Sequence, residues 1–91
     1  MKMWFVYILQ SLSRDRLYCG ITVDITRRLK AHNAGRGAKY TRGRGPWYVL
    51  ALRAAGTQGQ ALRAERYLKS LTKEARLRWC QNNLYKENAD V

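Results

Sequence analysis

The sequence predicts a small α+β domain, a three-stranded antiparallel sheet flanked by helices in the order β-β-α-β-α-α. Three observations carry that expectation. Trp4–Leu9 is an unbroken apolar and aromatic run rich in strand-favouring residues. The polar stretch Ser11–Arg16 that follows it is short, which favours an antiparallel hairpin over a crossover. Three later segments repeat apolar residues at helical spacing, and only one more strand-like run, Trp47–Arg53, lies among them. No repeat and no long linker divides the chain, so residues 1–91 are expected to form a single domain.

In the first run, Trp4, Val6 and Ile8 alternate with Phe5, Tyr7 and Leu9, so both faces are apolar and a central strand is expected. The second strand, Leu17–Thr22, puts Tyr18 and Gly20 on one face and Leu17, Cys19 and Ile21 on the other. Gly20 has no side chain, which leaves room for a ligand or another backbone to approach.

Asp24 is a suitable N-cap for the helix that follows, because its carboxylate accepts an unpaired amide hydrogen of the first turn. The inward stripe of that helix is Ile25, Arg28, Leu29 and His32. Two of these are apolar; the others are a guanidinium and an imidazole. A charge on a buried stripe is costly unless something pairs with it, so these positions point to a site.

Gly35–Pro46 is a basic, glycine-rich loop in which Arg36, Lys39, Tyr40, Arg42 and Arg44 stand between glycines. It is expected to contact phosphates, with Tyr40 available to stack on a base. Pro46 opens the third strand, Trp47–Arg53, at a position a strand tolerates. After a small-residue turn, Ala54–Gly59, a helix is expected over Gln60–Leu71 with Ala61, Ala64, Glu65 and Leu68 facing inward. Glu65 is the one charge on that stripe. Thr72 caps a last helix expected from Lys73 to about Asn88, with Leu77, Cys80 and Leu84 on one face.

Composition bounds the partners. The chain has 91 residues, 46% of them hydrophobic, which suits one modest core. Eighteen Lys and Arg against six Asp and Glu give a net charge of +12, and so basic a chain points to a polyanion, most often nucleic acid. No apolar run approaches a membrane span, so no membrane association is expected. Cys19 and Cys80 have no metal-ligand spacing and make no disulfide framework, so both are expected in the core of a protein in a reducing, cytoplasmic setting.

Two tyrosines of a hairpin, an arginine and a histidine of one helix and a glutamate of another remain. In this arrangement the chain resembles the GIY-YIG nuclease family. The first signature is present as Val6-Tyr7-Ile8, departing at Val6 from the leading glycine, and the second as Tyr18-Cys19-Gly20. The family's helix arginine matches Arg28, its following histidine or tyrosine matches His32, and its metal-holding glutamate matches Glu65. The resemblance spans nearly the whole chain and is greatest to the small single-domain bacterial members.

The resemblance implies an endonuclease that hydrolyses nucleic-acid phosphodiesters, DNA more than RNA, with catalytic Tyr7, Tyr18, Arg28, His32 and Glu65. The residue types suit that chemistry. Glu65 is an oxygen ligand for a single Mg²⁺ (or Mn²⁺), an ion that keeps several waters. Arg28 forks onto non-bridging phosphate oxygens in a way lysine does not reproduce. Tyr7 or Tyr18 would take a proton from water, which requires nearby cations because a free phenol titrates near pH 10. His32 would share the proton transfer or hold a phosphate. Gly20, Arg36, Lys39, Tyr40, Arg42 and Arg44 complete the expected nucleic-acid surface.

Two departures from the family pattern weigh on activity. Ile21 and Thr22 stand where many members carry a lysine, and neither Asn82 nor Asn83 clearly matches the family's later asparagine. A nucleic-acid-binding module that has lost the reaction is therefore the alternative, and a basic RNA- or ribosome-associated protein a third. Whether the chain pairs with itself stays open.

Overall fold

A computed structural model describes residues 2–86. Its elements run β1 (Trp4–Ser11), β2 (Leu17–Thr22), α1 (Ile25–Asn33), a 3₁₀ turn (Lys39–Thr41), β3 (Trp47–Gly56), α2 (Gln58–Ser70) and α3 (Lys73–Gln81). The three strands form one antiparallel sheet in the order β2-β1-β3. The doubly apolar β1 is thus the central strand, as its alternation predicts.

The two faces of β1 feed two cores. On one face Val6 and Ile8 pack with Cys19, Ala51, Leu68 of α2 and Cys80 of α3. On the other, Tyr7, Leu9 and Trp47 pack with Tyr18 and with Ile25 and Leu29 of α1. The helices therefore cover opposite faces, α1 on one and α2 with α3 on the other. Both cysteines are buried and unpaired, as expected.

Capping sets the helix starts. The Asp24 carboxylate accepts from the Arg27 amide at 3.1 Å, and the Thr72 hydroxyl from Ala75 at 3.1 Å. α2 starts at Gln58 rather than Gln60, because Thr57 caps it: its hydroxyl accepts from the Gln60 amide while the Gln60 side chain accepts from the Thr57 amide. The expected turn before it is shorter for the same reason, and β3 continues to Gly56.

The last helix is the clear correction. It ends at Gln81, not near Asn88, which lies outside the described residues. The chain then turns back along β3: Leu52 donates its amide to Asn83 O at 3.0 Å, Tyr85 donates to Leu50 O at 3.1 Å, and Leu84 bridges Ala51. Leu84 is consequently 51% exposed instead of sharing a buried stripe with Cys80. The unpaired edge of β3 supplies backbone partners that a longer helix would forgo.

Candidate active site

Tyr7 and Gly20 are direct partners across the β1–β2 ladder. A Cβ on Gly20 would fall 2.7 Å from Cζ of Tyr7, so the glycine makes room for the phenol. Gly20 is itself buried. The space expected for a ligand at Gly20 belongs to Tyr7.

The Tyr7 hydroxyl meets Nε2 of His32 at 3.0 Å, and Nδ1 of His32 meets the Thr41 hydroxyl at 2.8 Å. All three side chains are sealed, with 1%, 2% and 1% of their surface exposed. Thr41 donates its one hydroxyl hydrogen to the Ala38 carbonyl at 2.8 Å. It must therefore accept from His32, which places the proton on Nδ1 and leaves Nε2 to accept from Tyr7. Burial, reinforced by the Arg28 charge, pushes the His32 pKa down from 6.5 to about 4, so the ring is neutral at pH 7. Burial likewise raises Tyr7 to about 12, although the Arg28 guanidinium opposes the rise.

Tyr18 stands differently. It is only partly buried, with its ring 6.4 Å from Tyr7 and 5.1 Å from His32 between centroids. Burial raises its pKa; Lys69 and Arg28 pull it down and Glu65 pushes it up. Arg28 comes from α1 and Glu65 from α2, on opposite faces of the sheet. β2 is an edge strand, and both charges bear on the Tyr18 phenol, Arg28 lowering its pKa and Glu65 raising it.

Glu65 pairs with Lys69 one turn on, at 3.3 Å, and not with Arg28. Its side chain keeps 19% of its surface exposed. No group of three or more His, Cys, Asp or Glu stands together among the described residues. An ion here would rest on the Glu65 carboxylate, waters and phosphate oxygens. That all-oxygen set fits Mg²⁺, which is commonly held by one or two carboxylates plus substrate. Lys69 is the residue sequence reasoning missed. Its signal was legible as an i, i+4 Glu–Lys pair on one helix face.

The Gly35–Pro46 segment is tied to the body at several points. Arg36 donates its amide to Ala31 O at 2.8 Å, Ser13 donates to Gly45 O at 2.8 Å, and the Trp47 indole donates to Thr41 O at 3.0 Å. Tyr40 stacks on Tyr18 at 6.1 Å with 21° between planes, and the Arg44 guanidinium lies 5.0 Å from its centroid. Arg44 also donates to Tyr40 O at 2.8 Å. These two side chains are thus engaged within the protein, whereas Arg36, Lys39 and Arg42 are exposed cations. Leu17, Tyr18, Cys19, Tyr40, Lys69 and Arg76 line a shallow groove beside the cluster.

A hairpin that sets two tyrosine rings 6.4 Å apart, in an antiparallel sheet with helices on both faces, defines the class of α+β domain. The family model described as the GIY-YIG catalytic domain matches residues 3–78, and the chain belongs to the GIY-YIG family. It is 44% identical over 73 residues to a UPF0213 protein of Cronobacter sakazakii, covering 80% of this chain and 76% of that one. It is 40% identical over 87 residues to a UPF0213 protein of Haloquadratum walsbyi, covering 96% and 91%. The solution structure of a UPF0213 protein from Bacillus halodurans is similar, with a TM-score of 0.54 at 38% identity over 87% of this chain and 83% of that one. Among the described residues no helix is long and apolar enough to cross a membrane.

Proposed function

We propose that the protein is an endonuclease that hydrolyses phosphodiester bonds of nucleic acid, DNA in preference to RNA, with one Mg²⁺ or Mn²⁺ held by Glu65. The observation that carries this reading is the tyrosine pair of the hairpin: Tyr7 is sealed against His32 at 3.0 Å, while Tyr18 beside it stays partly open on the groove that Lys69 and Arg76 also line. Membership of a nuclease family and the net charge of +12 support it.

In this reading the residues have separate roles. Tyr18 is the tyrosine a water molecule can reach, and its oxygen orients that water. Arg28 grips the non-bridging oxygens and stabilises the charge that develops on phosphorus substituents. A divalent cation at Glu65 would offset the carboxylate, add positive charge beside Tyr18 and stabilise the leaving oxygen. Tyr7 and His32 are sealed from water and act as positioning residues, with His32 holding Tyr7. Exposed Arg36, Lys39 and Arg42 carry the phosphate backbone.

The test is incubation with linear, nicked and branched DNA, and with RNA, in the presence and absence of Mg²⁺. Metal-dependent cutting of DNA that is lost in Glu65→Ala and Arg28→Ala supports the reading. Undiminished cutting by Glu65→Ala overturns the metal assignment. Salt-sensitive binding with no cutting of any substrate establishes instead a binding module on the same fold.

A further inference from the structure

The hydrogen-bond chain behind the site has a direction, and one residue outside the two tyrosine signatures sets it. The Thr41 hydroxyl hydrogen goes to Ala38 O at 2.8 Å, so Thr41 faces the His32 Nδ1, also at 2.8 Å, as an acceptor. Nε2 is then a bare lone pair, and the Tyr7 hydroxyl 3.0 Å away must donate to it. With its hydrogen committed to His32, the Tyr7 oxygen keeps only lone pairs for its other neighbours. Were the proton on Nε2, Tyr7 would accept from the ring and its own hydrogen would need another acceptor. The imidazole pocket is also closed by the loop: a Cβ on Gly37 would collide with the His32 ring, so the loop can lie directly on it only because residue 37 is glycine.

We propose that Thr41 is a positioning residue of this site: it holds His32 in the Nδ1–H tautomer, and through His32 it fixes the Tyr7 phenol as donor to the ring. The basic loop and the tyrosine of the first signature are then one unit. Thr41 ends the 3₁₀ turn that carries Lys39 and Tyr40, and its carbonyl is held by the Trp47 indole at 3.0 Å. Displacement of that turn disturbs the tautomer and hence the direction of the Tyr7 hydrogen bond. The inference rests on the nuclease reading only for the use to which Tyr7 is put.

The chain has one histidine, so a long-range proton–nitrogen NMR correlation spectrum of the whole protein shows a single imidazole. At neutral pH and without nucleic acid, wild type and Thr41→Ser are expected to show the Nδ1–H pattern, and Thr41→Val to lose it. Wild type protonated on Nε2 overturns the proposal, whatever the variants do. So does a Thr41→Val protein that keeps the wild-type pattern, or a Thr41→Ser protein that abandons it. If Thr41→Val does not fold, the wild-type and serine spectra still decide. In cleavage assays Thr41→Val is expected to lower kcat more than it raises KM, with Thr41→Ser restoring the rate. Because the tautomer is read without substrate, absence of cleavage would count against the nuclease reading and leave this result standing.

Discussion

The hydroxyl of Tyr7 and Nε2 of His32 lie 3.0 Å apart in the interior, 25 positions apart along the chain. A strand and a helix thus share a polar contact where both would otherwise bury unsatisfied groups. The pair explains how a histidine sits on the inward stripe of α1 without charge. Its consequences are measurable.

Acid should weaken the fold through His32. Its folded pKa lies near 4 against 6.5 for the free group, so between those values the unfolded chain takes up a proton that the native protein refuses. The contribution of His32 is complete above pH 6.5 and is lost as pH falls towards 4, by on the order of 3 kcal/mol at the acid limit. Denaturant midpoints across that range, for wild type and His32→Gln, check it. Identical pH slopes in the two proteins would contradict the assignment.

Tyr18 should titrate in opposite directions in two α2 variants. Lys69 lowers its pKa and Glu65 raises it. Lys69→Ala is therefore expected to move the Tyr18 phenolate transition to higher pH, and Glu65→Gln to lower pH. Ultraviolet titration of each against its Tyr18→Phe background isolates the residue. A shared direction of shift, or none, would remove both side chains from the neighbourhood of the phenol.

Gly20→Ala should destabilise the fold by about 1–3 kcal/mol, the usual cost of forcing a methyl group into a packed interior. The added carbon would meet the Tyr7 ring 2.7 Å away and the Tyr18 ring 3.1 Å away. Equilibrium urea unfolding measures the loss. A stability equal to wild type would mean that Tyr7 does not fill the space opposite Gly20.

Nucleic-acid affinity should depend on salt through the exposed loop cations. Replacing Arg36, Lys39 or Arg42 singly by Ala is expected to lower the slope of log affinity against log salt by about 1 each. Arg44→Ala should differ, because Arg44 also holds Tyr40 through its carbonyl and ring. Titrations at several salt concentrations on one duplex distinguish these cases. Unchanged slopes would place the binding surface elsewhere.

Much of the frame was readable in residue order, and the misses share a cause. The alternation of Trp4–Leu9 foretold a central strand, and Asp24 and Thr72 marked helix starts, because pleat and cap depend on neighbours a few positions away. The end of α3 was misplaced because Leu84 finds its partner in Ala51, across the molecule. Gly20 was read as space for a ligand, yet only cross-strand register shows that Tyr7 takes it. Thr41 carried no signal at all inside its basic loop.

By itself the order of residues determined the α+β class, the element sequence, the basic character and the roster of polar groups set on apolar stripes, since periodicity, capping and charge are local or additive properties. Only the tertiary structure decided which of those groups meet. It sealed Tyr7 and His32 while leaving Tyr18 partly open, paired Glu65 with Lys69, and set Arg28 and Glu65 on helices that cover opposite faces of the sheet. Those outcomes hang on strand register and on which face each helix covers, and no short window of sequence contains either.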